Sequence, residues 1–277
     1  MDGEPPPAAA PFRLAVGAYV GAVVAGSAAV VAATAEATAV ALVIVTLVSL
    51  GMGAVAGVAV ASRVRALPTR LGRSRRRRAV LAFPVLPFAA MAVASHVSRI
   101  ETPRATVALG ATVGIALAGW FLAGFARSAY VDAVVEDEPV LATSWEPDRS
   151  PALYGLLLAT WLFLAVSNAV VGDWAMVILW VGLGVAWAGQ LVLDGRWRIG
   201  TRGRPTELRI HERGLVKRRP YTQSLVPWED VRHVRVREGA LVVERGPFDV
   251  RFDRDQLADP EAVLAAIERT SSTRVVP

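Results

Sequence analysis

Along the 277 residues, apolar positions first run in long unbroken blocks and later alternate with polar ones. Six blocks contain no Asp, Glu, Lys or Arg: 14–35, 37–62, 79–98, 105–126, 150–172 and 174–193. Each is 20 to 26 residues long, and about 20 helical residues cross a hydrocarbon core of about 30 Å. A soluble protein buries one such helix; six in succession need a larger core than this chain can wrap. The blocks predict a six-helix transmembrane domain over 14–194, after a short segment 1–13. The first block ends at Ala33-Thr34-Ala35, a signal-peptidase-like site, so it is either a retained helix or a cleaved signal. The acidic leader and the length of the run favour retention.

After Asp194 the period changes. Leu208 and Ile210, Val231, Val234 and Val236, Leu241 and Val243, and Val250 and Phe252 follow the strand period of two. Turns are expected at Gly214, Glu238-Gly239 and Arg245-Gly246. Asp259-Pro260 then reads as N-cap and first residue of a helix with an apolar face of Val263, Leu264 and Ile267. Residues 195–277 thus form a separate domain of short antiparallel strands closed by one amphipathic helix.

Composition narrows the chemistry. With 54% hydrophobic and 19% charged residues the chain is not intrinsically disordered, and the absence of cysteine excludes disulfides, Cys-ligated metals and thiol nucleophiles. The net charge of +6 is unevenly placed. Residues 195–277 hold 17 basic and 12 acidic residues, whereas 1–194 hold 13 and 12. Within the membrane part the Arg residues cluster between alternate blocks. With both termini inside, the short cytoplasmic segments up to Arg204 carry 15 Arg, against Arg99 and Arg104 opposite. The positive-inside rule then predicts a multi-pass cell-membrane protein with cytoplasmic N- and C-termini.

The loop RVRALPTRLGRSRRRR carries eight Arg and no acid. It reads as a topogenic signal, and Arg75, Arg76, Arg77 and Arg78 are its candidate contacts to anionic lipid. Nucleic acid is not expected as a partner, because the run lacks interleaved aromatics and a recognisable fold. Segment 127–149 has the opposite sign, with six acids against two Arg. Tyr130, Val131, Val134 and Val135 predict a helix running on to Pro139, either as an acidic stalk that pairs with the basic loop or as a solvated linker. Within the spans, Thr46, Ser49, Thr112, Thr160, Ser167, Asn168 and Gln190 read as helix glue, and His96 as an interfacial residue. Pro84 and Pro87 are expected to kink the third helix. Gly17/Gly21, Gly53/Gly57 and Gly110/Gly114 are GxxxG pairs suited to close helix packing.

The runs ELRIHERGLVKRR, LVPWEDVRHVRVREGALVVERG and FDVRFDRDQLADPEAVLAAIERT together resemble the prokaryotic pleckstrin-homology-like (PH-like) domain. The shared pattern is a hairpin turning at Glu212-Arg213-Gly214, the turn Pro227 to Asp230, and an Asp-rich turn into the last helix. The likeness covers Thr206 to about Thr270. It implies a small, partly open, strongly bent seven-stranded β-barrel-like domain with a C-terminal helix plugging one end, acting in binding or assembly rather than catalysis. Eukaryotic relatives hold phosphoinositides through basic residues of the first hairpin. That places Arg209, Arg213, Lys217, Arg218 and Arg219 as candidate contacts to anionic lipid headgroups. The strand period puts Lys217 and Arg219 on one face and Arg218 on the other. Against headgroup specificity, the chain uses 29 Arg and one Lys throughout.

The expected function is that of a multi-pass membrane protein whose cytoplasmic domain binds a protein partner or an anionic membrane surface, or self-associates. The isolated stretch 201–277 is expected to fold alone. A small-molecule or lipid transporter is the alternative, marked by a polar mid-membrane cavity at Thr112, Asn168 or Gln190. A membrane-embedded enzyme is the third reading. No HExxH, Walker or GxSxG motif is present, and no catalytic residue, metal or cofactor is expected.

Overall fold

The computed structural model describes residues 9–64, 66–97, 103–135, 137–146, 150–197, 206–237, 239–245, 249–270 and 275–276. The chain divides into two compact units, 1–130 with 151–188, and 131–150 with 189–277.

The first unit is helical. Among the described residues, five helices are long and apolar enough to cross a membrane. They are α1 (Ala9–Thr34), α2 (Ala39–Arg63), α6 (Pro103–Val134), α7 (Pro151–Val170) and α8 (Trp174–Leu193); the C-terminal ends of α6 and α8 lie in the second unit. Between α2 and α6 come α3 (Leu67–Gly72), α4 (Arg75–Ala79) and α5 (Val85–Val97). The helix expected over 79–98 is not continuous. Its arms, Arg75–Ala82 and Val85–Ser95, meet at 45° and together make a sixth candidate span. Pro84 sits at the break, where it lacks a backbone N–H and its ring collides with the preceding turn of a straight helix.

The tightest helix contact joins α1 to α2, and two GxxxG pairs meet in it face to face. A Cβ on Gly53 would lie 2.8 Å from the Gly21 Cα, and one on Gly57 would lie 2.9 Å from the Gly17 Cα. Only glycine permits backbones this close. Below this contact Phe12, Val16, Ala61, Leu122 and Ala126 form a buried cluster. The Tyr19 hydroxyl donates to the Leu81 carbonyl at 2.9 Å. The third pair is different: a Cβ on Gly114 would meet nothing within 4 Å. Thr46, Thr112, Thr160 and Asn168 each donate to the carbonyl four residues back in their own helix, which satisfies them without a partner helix.

Among the described residues, the second unit holds two four-stranded sheets and no closed barrel. The first has the order β1-β2-β3-β4, antiparallel throughout: β1 (Leu141–Ser144), β2 (Glu207–His211), β3 (Gly214–Arg218) and β4 (Gln223–Pro227). The second has the order β7-β6-β5-β8, with β5 (His233–Arg237), β6 (Ala240–Glu244), β7 (Val250–Asp253) and β8 (Val275–Val276), the last pairing parallel to β5. The expected seven-stranded barrel is therefore corrected to two open sheets. They join at one corner, where Trp145 bridges Leu257, Glu146 N–H donates to the Gln256 carbonyl and Ala258 N–H to that of Ser144.

Strand alternation places Leu208, Ile210, Leu215 and Val226 of the first sheet, and Val234, Leu241, Val243 and Phe252 of the second, in one core with Trp145. Helix α9 (Pro260–Thr270) buries Val263, Ala266 and Ile267 against it. Asp259 caps α9 by accepting the Ala262 N–H at 2.9 Å. At the first hairpin a Cβ on Gly214, whose φ is +156°, would lie 2.8 Å from the Pro227 Cα, so β4 crosses the turn where a side chain would stand.

This unit is wider than the stretch 195–277. Helix α6 stops at Val134 instead of running to Pro139, and the chain enters β1, whose Leu141 and Thr143 pair with Ile210 and Leu208. Of the segment 127–149 expected as stalk or linker, the first part up to Val134 is helical and Leu141–Ser144 is a strand of the sheet. A four-residue strand is too short for its period to stand out in the sequence.

Candidate functional site

The basic residues of the first hairpin lie in three environments. Glu207 and Arg218 are cross-strand partners, as are Arg209 and Val216, so these four share the face of the first sheet turned away from the main core, where Val216 is itself buried. There Arg209 holds the Glu207 carboxylate through Nε at 2.8 Å and Nη2 at 2.7 Å, and Arg218 reaches the same oxygen at 3.5 Å. Lys217 pairs with Leu208 and Ser224 and therefore turns inward. Its ammonium stands 4.1 Å from the centroid of the Phe252 ring and 5.1 Å from that of Trp145, a cation–π arrangement. Arg213 and Arg219 lie outside the strands.

Both outlying arginines hold chain ends of membrane helices. Arg213 donates to the Val134 carbonyl, the last residue of α6, at 2.9 Å. Beside it Asp132 accepts from Gln223 at 3.0 Å, while Asp137 accepts the Glu212 N–H at 3.3 Å and lies 3.3 Å from the His211 Nδ1. Burial opposes the charge on Asp137, but its own backbone N–H, that of Glu212 and the His211 ring together outweigh it and lower its pKa. Arg219 pairs with Asp194 just beyond α8. Asp194 also accepts from Gln190 at 2.7 Å, and Thr222 donates to the Leu193 carbonyl at 3.0 Å. The two turns flanking β3 are thereby clamped to the ends of α6 and α8.

Of the loop candidates, Arg75, Arg76 and Arg77 are exposed on the single turn of α4 and Arg78 is half-buried. Ser74 caps that turn by accepting the Arg77 N–H. Arg77 reaches the Arg70 carbonyl at 3.4 Å, and Arg78 reaches that of Gly72 at 2.6 Å. The structure thus gathers the loop arginines on one short helix and distributes the hairpin cations among separate intrachain partners.

Sequence reasoning missed Trp145 and the clamp on α6. Trp145 is 7% exposed, stacks edge-on to Phe252 at 5.6 Å and donates through Nε1 to Gln256 at 3.3 Å. The available signal was charge: the acids of 127–149 stand opposite in sign to the hairpin they meet. Glu136 and the side chain of His96 lie outside the described residues.

An exposed basic surface of this unit lies elsewhere, on the outer face of the second sheet. Arg235, Val242 and Arg251 form one cross-strand row, with the His233–Glu244 pair beside it. Arg232 and His233 are exposed. Arg235 and Arg251 keep 47% and 57% of their side-chain surface despite pairing with Glu244 and Asp253.

No family model, curated protein or solved structure matches this chain.

Proposed function

We propose that this protein is a multi-pass membrane protein whose cytoplasmic sheet unit is a PH-like binding or assembly module. Five apolar helices with a bent sixth span support the membrane part, and the arginine asymmetry supports the cytoplasmic placement. Two open sheets with a C-terminal helix packed on their core support the PH-like reading.

The observation that carries the binding role is the division of the basic residues. In the first hairpin they hold the unit together. On the second sheet His233, Arg235 and Arg251 face outward, with Arg232 exposed just before β5, over ion pairs exposed enough to exchange for a partner's carboxylates at little cost. The module therefore takes an acidic protein surface, either of a partner or of a second copy, on this sheet face.

The test uses the full chain in zwitterionic nanodiscs and a paired charge reversal, Arg232→Glu with Arg235→Glu. Cross-linking and mass measurement are expected to show self-association, or capture of an acidic protein from the native membrane, lost in the variant and in high salt. Attachment that needs anionic lipid instead assigns this face to the membrane surface. Unchanged cross-links in the variant refute the assignment.

A further inference from the structure

We infer that the helical unit carries a binding groove for one acyl chain of an anionic phospholipid, independently of the module proposed above. The groove lies between α1, α2 and α6 and has a volume of about 500 Å³. Its walls include Ala25 and Ala29 of α1, Leu42 and Leu47 of α2, and Ala111 and Gly114 of α6. Thr46 also lines it, but its hydroxyl is engaged by the Leu42 carbonyl at 2.7 Å. The cavity thus presents hydrocarbon and suits an alkyl chain rather than a polar solute.

Depth selects the occupant. From Arg104 to Gly114 is ten residues of helix, or about 15 Å, half of a hydrocarbon core of about 30 Å. A partner helix about 10 Å across would need a seam through both leaflets. This groove fits one chain of one leaflet, the leaflet on the side of the α1–α2 turn.

The polar end supplies the headgroup contact. Arg104 and Ala111 are seven residues apart on α6, hence on the same face. Arg104 donates to the Ala33 carbonyl at 3.4 Å, one turn beyond Ala29. Its ion pair with Glu36 is 3.5 Å long, and Glu36 is 85% exposed, so a phosphate displaces that carboxylate at little cost. The third GxxxG pair is then explained: it leaves room for lipid instead of joining helices.

The test is native mass spectrometry of the full chain after reconstitution in mixed phosphatidylglycerol and phosphatidylcholine, followed by delipidation in mild detergent. One phosphatidylglycerol per chain is expected to survive. Gly114→Leu, whose Cβ would meet nothing within 4 Å, and Gly110→Val, whose Cβ would meet only Ile178 at 3.7 Å, both add bulk at glycines that line the groove. Each is expected to lower lipid retention about tenfold at wild-type thermal stability. Arg104→Gln is expected to lower the preference for phosphatidylglycerol about fivefold, the effect of one basic group at a membrane surface. Equal lipid retention in both filling variants, or none in wild type, overturns the inference. So does a wild-type dimer that Gly114→Leu dissociates, since a second copy then occupies the groove.

Discussion

Trp145 lies outside the stretch expected to fold as a domain, yet it completes that domain's core, and Trp145→Ala tests whether it does. The substitution empties a site that is 7% exposed, removes the edge-on contact with Phe252, and strips one of two rings from the Lys217 ammonium. Core Trp→Ala changes cost about 3–5 kcal/mol, of which the aromatic pair and the cation–π contact account for about 1–3 kcal/mol. A domain stability of about 5–15 kcal/mol then falls by about a fifth or more. Hydrogen exchange of the full chain in detergent micelles reads this directly. Amides of β2 and β7 are expected to lose about two to three and a half orders of magnitude of protection. Trp145→Phe keeps an aromatic ring at the site but gives up the bond to Gln256 and part of the indole's packing, for about 1–3 kcal/mol. Loss of protection confined to 141–146, with β2 and β7 within about threefold of wild type, would refute the claim that this residue belongs to the core.

The same reasoning reverses the expectation for 201–277: expressed alone, this stretch should be protease-sensitive and lack a cooperative melt, whereas adding 131–150 in trans or through a linker should restore one. Gly53→Val should destabilise the α1–α2 pair by about 1–3 kcal/mol, read as a lower melting temperature in detergent. Gly51→Val, where a Cβ meets nothing within 4 Å, should change it little. Arg219→Ala should destabilise the sheet unit by about 1–3 kcal/mol by leaving Asp194 half-buried without its cation, measured by chemical denaturation. Because the fold lowers the pKa of Asp137, its charge stabilises the clamp above the ordinary carboxylate value of about 3.9. That contribution disappears as pH falls through the lower folded value. Asp137→Asn should flatten this acid-side loss in thermal melts, and an unchanged profile would remove Asp137 from the clamp.

The spans, the strand positions and the cap of α9 were legible because each rests on a local rule. A charge-free run of bilayer length has one low-energy environment, alternation names the buried face, and Asp259-Pro260 has one good place in a helix. The bend at Pro84 was legible as well, since proline acts on its own turn, but its angle was not. The candidate cations were legible only as residue types. Lys217 and Arg218 are neighbours of similar charge, yet one enters the core beneath Phe252 and the other pairs with Glu207 outside.

What the primary structure determined by itself is the membrane character, the number of blocks available to span, and the existence of a sheet unit with a final helix. Tertiary structure alone decided that Leu141–Ser144 is a strand of that unit, that two of the three GxxxG pairs interlock while the third stays open, and that the hairpin cations hold helix ends. The reason is range. Burial of a block and the handedness of a turn depend on residues a few positions apart, whereas these contacts join residues tens of positions apart, such as Trp145 and Gln256 or Asp137 and His211. Whether such partners meet depends on the whole chain's packing, which no local pattern carries.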